Sequence, residues 1–276
     1  MAAADEGGTC VMAIVLEAPR FAVLKAAGIN RDEATKAALE AAGAAADIVL
    51  ISSLIAKEVK LSDYQGLVIP GGFSYGDDIQ SGVVLALEML HMQTELEEFA
   101  FYRKRPIVGV CNGFQALVQS GLLPFGEMTI REHLKATLTA NEHGRFESRW
   151  IHLKPEESVC LYIRQGETVT FPVAHGEGKF VASVSVLEEL ETNGQVVYRY
   201  SDTTGNPTQE YPANPNGSLH AIAGITDPTG VILGMMPHAE DFVRREHHPN
   251  WRRDSITGEP DGLAFYKQVV LYARET

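Results

Sequence analysis

The chain has 276 residues, 45% of them hydrophobic and 21% charged, with 23 basic residues against 36 acidic ones and a formal net charge of −13. Such a length supports a large core, and no Pro/Gly/Ser-rich linker or charge block divides it, so one domain over residues 1–276 is expected. The acidic balance, with no basic stripe interleaved with aromatics, argues against nucleic acid as a partner.

The amino terminus, MAAADEGGTC, carries acids where a secretory signal needs positive charge, and no apolar run approaches the ~20 residues of a membrane span. A soluble, cytoplasmic chain with no membrane partner is expected. Its three cysteines, Cys10, Cys111 and Cys160, are too few and too scattered for a disulfide framework or a paired zinc motif.

In chain order, the first half alternates strand and helix signals. Residues 11–16 form an apolar run, residues 32–42 show helical spacing, and residues 48–52, 66–70 and 107–110 are again short apolar runs. Asp32, Glu33 and Thr35 near the helix start, with Gly43 past its end, are ordinary helix punctuation. Alternation of this kind implies a parallel sheet covered by helices. After about residue 135 short β-like pieces dominate, at 150–153, 168–174, 195–200 and 231–235, separated by turns such as Asn193-Gly and Asn216-Gly. The expected fold is α/β: an open, mostly parallel sheet flanked by helices, with antiparallel strands added by the second half and a closing helix over 263–272.

The apolar run Ile107-Val-Gly-Val ends in Cys111 and then turns helix-like through Asn112-Gly-Phe-Gln115. A strand that reverses into a helix at one residue strains that residue's backbone, and Gly109 and Gly113, which lack side-chain bulk, leave room for it on either side. This is a nucleophile elbow, in which the helix amides near Asn112 favour the thiolate. Downstream, Gly230-Val-Ile-Leu-Gly-Met-Met-Pro237 delivers His238, Ala239 and Glu240 at a strand end. If the strand path continues, His238 and Glu240 project the same way, so the carboxylate orients one ring nitrogen while the other faces Cys111. The plainer reading makes Cys111 a small buried apolar residue and His238 a loop residue; the elbow and the His-x-Glu pair together favour a triad.

Ile69-Pro-Gly-Gly-Phe-Ser-Tyr-Gly-Asp-Asp78 follows an apolar strand, where open α/β sheets place their sites. Its Gly71-x-x-x-x-Gly76 spacing imitates a phosphate loop, but Asp77 and Asp78 stand where lysine and serine or threonine belong and would repel phosphate. The amides of Gly72 and Asn112 are instead candidates for an oxyanion hole, against a plain glycine turn with helix-capping aspartates. In Phe171-Pro-Val-Ala-His-Gly-Glu-Gly-Lys-Phe180, His175 and Glu177 compete with His238 for the role of base. They lack a cleanly terminated strand before them and read as a substrate-contacting loop or a solvated turn. Arg244-Arg-Glu-His-His-Pro249 reads as a polar surface segment rather than a metal site, and Asn216-Gly-Ser218, though it fits a glycosylation pattern, as a turn. His91, His133, His143 and His152 stand alone.

Gly109-Val-Cys-Asn-Gly-Phe-Gln115, Pro237-His-Ala-Glu240 and Pro70-Gly-Gly72 resemble the class I (triad) glutamine amidotransferases. More narrowly, Gly71-Gly-Phe-Ser-Tyr-Gly-Asp-Asp78, Ala174-His-Gly-Glu-Gly-Lys-Phe180 and Tyr211-Pro-Ala-Asn-Pro-Asn-Gly-Ser218 are similar to the glutaminase subunits of phosphoribosylformylglycinamidine synthase, a purine-pathway enzyme; the likeness runs from about Phe21 to Tyr272. The resemblance implies Cys111 as nucleophile, His238 as base and acid, and Glu240 as orienting carboxylate. It implies that Gln115 contacts bound glutamine and that the loop with His175 and Glu177 lines the glutamine pocket. The family pattern His-Pro-Glu is broken by Ala239, which is expected to loosen the turn without touching the triad. The family's Gly-Thr-Asn-Cys-Asp reads Gly28-Ile-Asn-Arg-Asp32 here, so any role of that cysteine is absent.

The chemistry expected is attack of the thiolate on the glutamine side-chain amide, protonation of departing ammonia by His238, and hydrolysis of the thioester by a water that His238 activates. It requires no metal. The chain shows no nucleotide loop or dinucleotide fingerprint, so an ATP-dependent step would lie on another polypeptide. The resemblance implies a synthetase subunit carrying ATP and magnesium, with a small accessory subunit. Two other readings stay open: a cysteine hydrolase or stress protein of the related Cys-elbow superfamily, and a non-enzymatic scaffold with a decayed site.

Overall fold

A computed structural model describes residues 17–129, 133–253 and 258–276. The apolar run at 11–16 and Cys10 lie outside the described residues. The first observed strand is β1, Arg20–Lys25, whose central residues are fully buried. Helix α1, Asp32–Ala41, turns Thr35, Ala38 and Leu39 inward at three- and four-residue spacing. Strand β2, Ala45–Leu50, starts earlier than its apolar run because it pairs in parallel with β1 from Arg20 opposite Ala45. Ile51 and Ser52, expected to end that strand, open the short helix α2, Ile51–Ile55, instead.

Strand β3, Gly66–Ile69, helices α3, Val83–Leu90, and α4, Gln93–Glu97, and strand β4, Ile107–Val110, lead into helix α5, Asn112–Gln119. The second half contributes β5, Ala136–Thr139, β6, Glu147–Pro155, β7, Val169–His175, β8, Lys179–Ala182, helix α6, Val184–Thr192, and β9, Val196–Ser201. Strands β10, Ile222–Thr226, and β11, Ile232–Met235, precede the closing helix α7, Asp261–Glu275.

One nine-stranded sheet runs in the order β2-β1-β3-β4-β11-β10-β9-β6-β7, and β5 pairs with β8 apart from it. From β2 to β11 the neighbours are parallel, and from β10 to β7 they are antiparallel, as expected for strands added by the second half. The central strands β3, β4 and β11 are buried throughout and read as unbroken apolar runs because helices cover both faces. Helix α5 packs on β3, β4 and β11, while α1 packs on β1, β2 and α7. This topology brings the ends of β1, β3, β4 and β11 to one edge of the sheet, where the site is built.

Candidate active site

Strands β4 and β11 lie side by side with Val110 opposite Met235, so the two segments that follow them leave the sheet together. The Cys111 amide donates to the Met235 carbonyl at 2.8 Å, and the chain turns there at φ 51°, ψ −106°. A non-glycine residue in such a conformation costs on the order of 1–3 kcal/mol and persists where its surroundings over-determine it. Those surroundings are visible: a Cβ on Gly113 would lie 1.9 Å from the Ile69 carbonyl oxygen, and one on Gly109 would lie 2.5 Å from Leu117 Cδ1. Helix α5 therefore crosses β3 and β4 at a distance that admits no side chain at either glycine. Cys111 is 5% exposed, and its thiol donates to the Ala174 carbonyl at 3.7 Å.

The expected continuation of β11 does not occur. His238 is extended (φ −96°, ψ 90°), and the chain then enters a 3-10 turn, Ala239–Phe242, so Glu240 comes from a tight turn rather than a strand. His238 Nδ1 nevertheless meets Glu240 Oε1 at 2.6 Å, with both residues 2% exposed. Burial alone would depress the imidazole pKa, but the charges of the Glu240 carboxylate and the Cys111 sulfur, with the hydrogen bond to Glu240, carry it well above its ordinary value. Nε2 has no hydrogen-bond partner. A Cβ on Gly71 would lie 2.7 Å from His238 Cε1 and 3.3 Å from Cys111 Cβ, so the two side chains converge over that glycine.

Ala239 is fully buried and does not leave the turn loose. The His238 amide donates to Pro172 at 2.8 Å, the Asp241 amide donates to the His238 carbonyl at 3.3 Å, and α7 presses so closely that a Cβ on Gly262 would lie 1.9 Å from the Ala239 oxygen.

The opposite wall is the loop after β3. Phe73 donates its amide to Gly28 at 3.0 Å and Arg31 donates its amide to Gly71 at 3.2 Å, flanking a bridge between Ile29 and Gly72. Gly72 has φ +147°, and a Cβ there would lie 2.7 Å from the Gly28 oxygen. The Asn112 side chain joins this loop to α5: its Oδ1 accepts from the Ser74 amide at 3.2 Å and its Nδ2 donates to Gln115 Oε1 at 3.0 Å.

Two adjoining cavities meet at Cys111. The larger, about 370 Å³, opens over Asn30, Arg31 and His238, and the smaller, about 140 Å³, reaches Asp77, Ser81, Gln115, His175 and Glu177. Gln115 Nε2 donates to the Glu177 carbonyl at 2.6 Å, and Glu177 Oε2 accepts from the Ser81 amide at 3.2 Å. His175 is the last residue of β7 rather than part of a loop. Burial, and then the charge of His238, push its pKa down to about 3. Asn141 Oδ1 lies 3.1 Å from Nδ1 and also accepts from the Gly178 amide, while Asn216 Nδ2 lies 3.4 Å from Nε2 and donates to Tyr200 Oη. That arrangement suits a neutral ring protonated on Nδ1, which leaves His175 no free nitrogen with which to replace His238 as base.

Sequence reasoning missed Asn141, Asn216, Arg31, Phe73 and Phe146 as parts of the site. Asn216 drew notice for its glycosylation pattern, but it is fully buried and bonded to His175. Arg31 drew notice as a departure from the family pattern, and its place on the cavity wall was not legible. Arg245 to His247 form an exposed turn, and the His248 ring packs on Trp150 at 4.7 Å. Among the described residues, His238, Glu240 and Asp241 bring one donor atom each within 4.8 Å of one another, a set that could hold a cation. All three are already engaged, since His238 Nδ1 is bonded to Glu240 and Asp241 is paired with Arg31.

The CobB/CobQ-like glutamine amidotransferase domain family matches residues 18–273. The chain is 42% identical over 255 residues to the phosphoribosylformylglycinamidine synthase subunit PurQ of Dehalococcoides mccartyi, covering 92% of this chain and 97% of that protein. It is 44% identical over 237 residues to the PurQ subunit of Methanococcus maripaludis, covering 85% and 87% respectively. A chain in the structure of PurLQS from Thermotoga maritima superimposes with a TM-score of 0.68 at 30% identity, over 92% of this chain and 99% of that one. The glutaminase domain of Trypanosoma brucei CTPS, at a TM-score of 0.55 and 13% identity, shares the fold.

Proposed function

Because the chain belongs to the CobB/CobQ-like glutamine amidotransferase family, we propose that it hydrolyses glutamine to glutamate and ammonia as the glutaminase subunit of phosphoribosylformylglycinamidine synthase in purine biosynthesis. It works as one amidotransferase domain alongside a synthetase subunit and a small accessory subunit. The observation that carries the reaction is the His238 imidazole, fixed through Nδ1 to Glu240 at 2.6 Å, with Nε2 unpartnered on the wall of the cavity that holds Cys111.

The Cys111 thiolate attacks the side-chain amide carbon of glutamine, and the carbonyl oxygen gains the negative charge. The Gly72 and Asn112 amides are the donors assigned to that oxyanion. The tetrahedral adduct collapses as His238 passes a proton to the departing nitrogen, leaving a thioester and ammonia. A water then gives its proton to His238 and attacks the thioester carbon, which releases glutamate and restores the thiolate. Glu240 orients the ring and stabilises the imidazolium in each half. The smaller cavity, with Gln115, His175 and Glu177, takes the rest of the glutamine molecule.

Ammonia freed into water is protonated and lost, so the synthetase consumes it at once. ATP and magnesium belong to that subunit. A cytoplasmic location suits this work, and no helix among the described residues is long and apolar enough to cross a membrane.

The test is labelling with a glutamine-mimicking diazoketone in the assembled complex. Cys111 should be alkylated, and Cys111→Ala should abolish glutamine hydrolysis. An unlabelled Cys111, or hydrolysis retained by Cys111→Ala, removes the reading, and full turnover in His238→Ala would turn it toward a cysteine hydrolase of another kind.

A further inference from the structure

Asp241 follows the triad carboxylate directly, and its side chain lies within 4.8 Å of donor atoms of both His238 and Glu240. One imidazole is thus flanked by two carboxylates. Glu240 takes Nδ1 at 2.6 Å, whereas Asp241 Oδ2 is drawn to the Arg31 guanidinium at 3.1 Å. The charged and titratable groups that act on Asp241 are Glu240 and His238 on its own turn, Arg31 at the start of α1 and His247 on the next turn, while Tyr266 of α7 feels its charge. Arg31 is the fixed cation of that set. Both partners are partly exposed, at 38% and 26% of their side chains, so the pair contributes little to stability and its consequence is local.

We infer that Arg31 is a positioning residue for glutamine hydrolysis: its guanidinium holds the Asp241 carboxylate off the His238 imidazole, which leaves the ring to Glu240 on one nitrogen and to Cys111 on the other. The inference rests on the glutaminase reading above. Without the guanidinium, Asp241 becomes a rival acceptor for the ring, and a second uncompensated negative charge binds the imidazolium proton more tightly than departure of ammonia tolerates. The side chain can be tested in isolation. The bond from Arg31 to Gly71 uses the backbone amide, and the Arg31 side chain makes no cap bond to α1.

The experiment measures glutamine hydrolysis in the complex assembled with the synthetase partner, for wild type, R31M, R31K, D241N and the double variant R31M/D241N. R31M should lower kcat about tenfold or more with KM within about twofold, and R31K should recover part of the loss. D241N should stay near wild type, and added to R31M it should restore kcat, because the charge that needed neutralising is gone. A raised KM with unchanged kcat in R31M would make Arg31 a substrate contact and overturn the inference. So would wild-type rates in R31M, a double variant as slow as R31M, or a tenfold loss in D241N alone, the last of which reads out even if R31M fails to assemble. Wild-type complex without turnover would remove the glutaminase reading itself, whereas active wild type beside an unaffected R31M removes this inference alone.

Discussion

His238 and His175 are equally buried, yet their neighbours drive them apart: the charges of Glu240 and Cys111 hold a proton on the first, while burial and then the charge of His238 keep the second neutral. Glu240→Gln keeps the shape of the triad and removes the charge that stabilises the imidazolium. It should lower the hydrolysis rate by about 10²- to 10⁴-fold with little change in KM, and lower the pH at which the His238 ring titrates by NMR. The two rings also act oppositely on stability. His238, raised when folded, stabilises below the ordinary histidine value near 6.5, and that contribution is lost as pH rises through its folded value. His175, depressed to about 3, binds fewer protons folded than unfolded between about pH 3 and 6.5, so stability falls as pH falls across that window. His175→Gln should flatten the decline in urea midpoint between about pH 6.5 and 5, and an unchanged slope would contradict the account.

At the scale of elements, the elbow depends on how closely α5 crosses the sheet. Gly113→Ala places a methyl 1.9 Å from the Ile69 oxygen, so α5 must move off β3. We expect a loss of about 3 kcal/mol or more by denaturant unfolding, together with loss of Cys111 alkylation. Elements with a strong local pattern were legible: β4 lies where its apolar run lies, and α1 and α7 fall within a few residues of their periodic stretches. Strand β1 was missed because Phe-Ala-Val-Leu at 21–24 is a short run beside an equally apolar one at 11–16. The end of β2 was misplaced because pairing with β1, and not hydrophobicity, decides where it begins and stops.

For the whole molecule, the expectation is a division of labour. Given glutamine labelled with ¹⁵N in its amide, the complex should place the label in the amidine product even when unlabelled ammonium is present in excess. Product at the isotope ratio of the bulk ammonium would refute direct supply. By itself the sequence determined the parallel α/β core and the elbow at Cys111, because both follow from short-range rules: apolar runs bury, and glycines stand where backbone must approach backbone. It also presented His238 and Glu240 as a pair two residues apart. Only the tertiary structure decided how they meet, through a 3-10 turn rather than a strand, and only the adjacency of β4 and β11, 125 residues apart at Val110 and Met235, set the imidazole beside the thiol. The same holds for Asn141, Asn216 and Arg31, whose places on the site come from contacts between distant segments that no local pattern encodes.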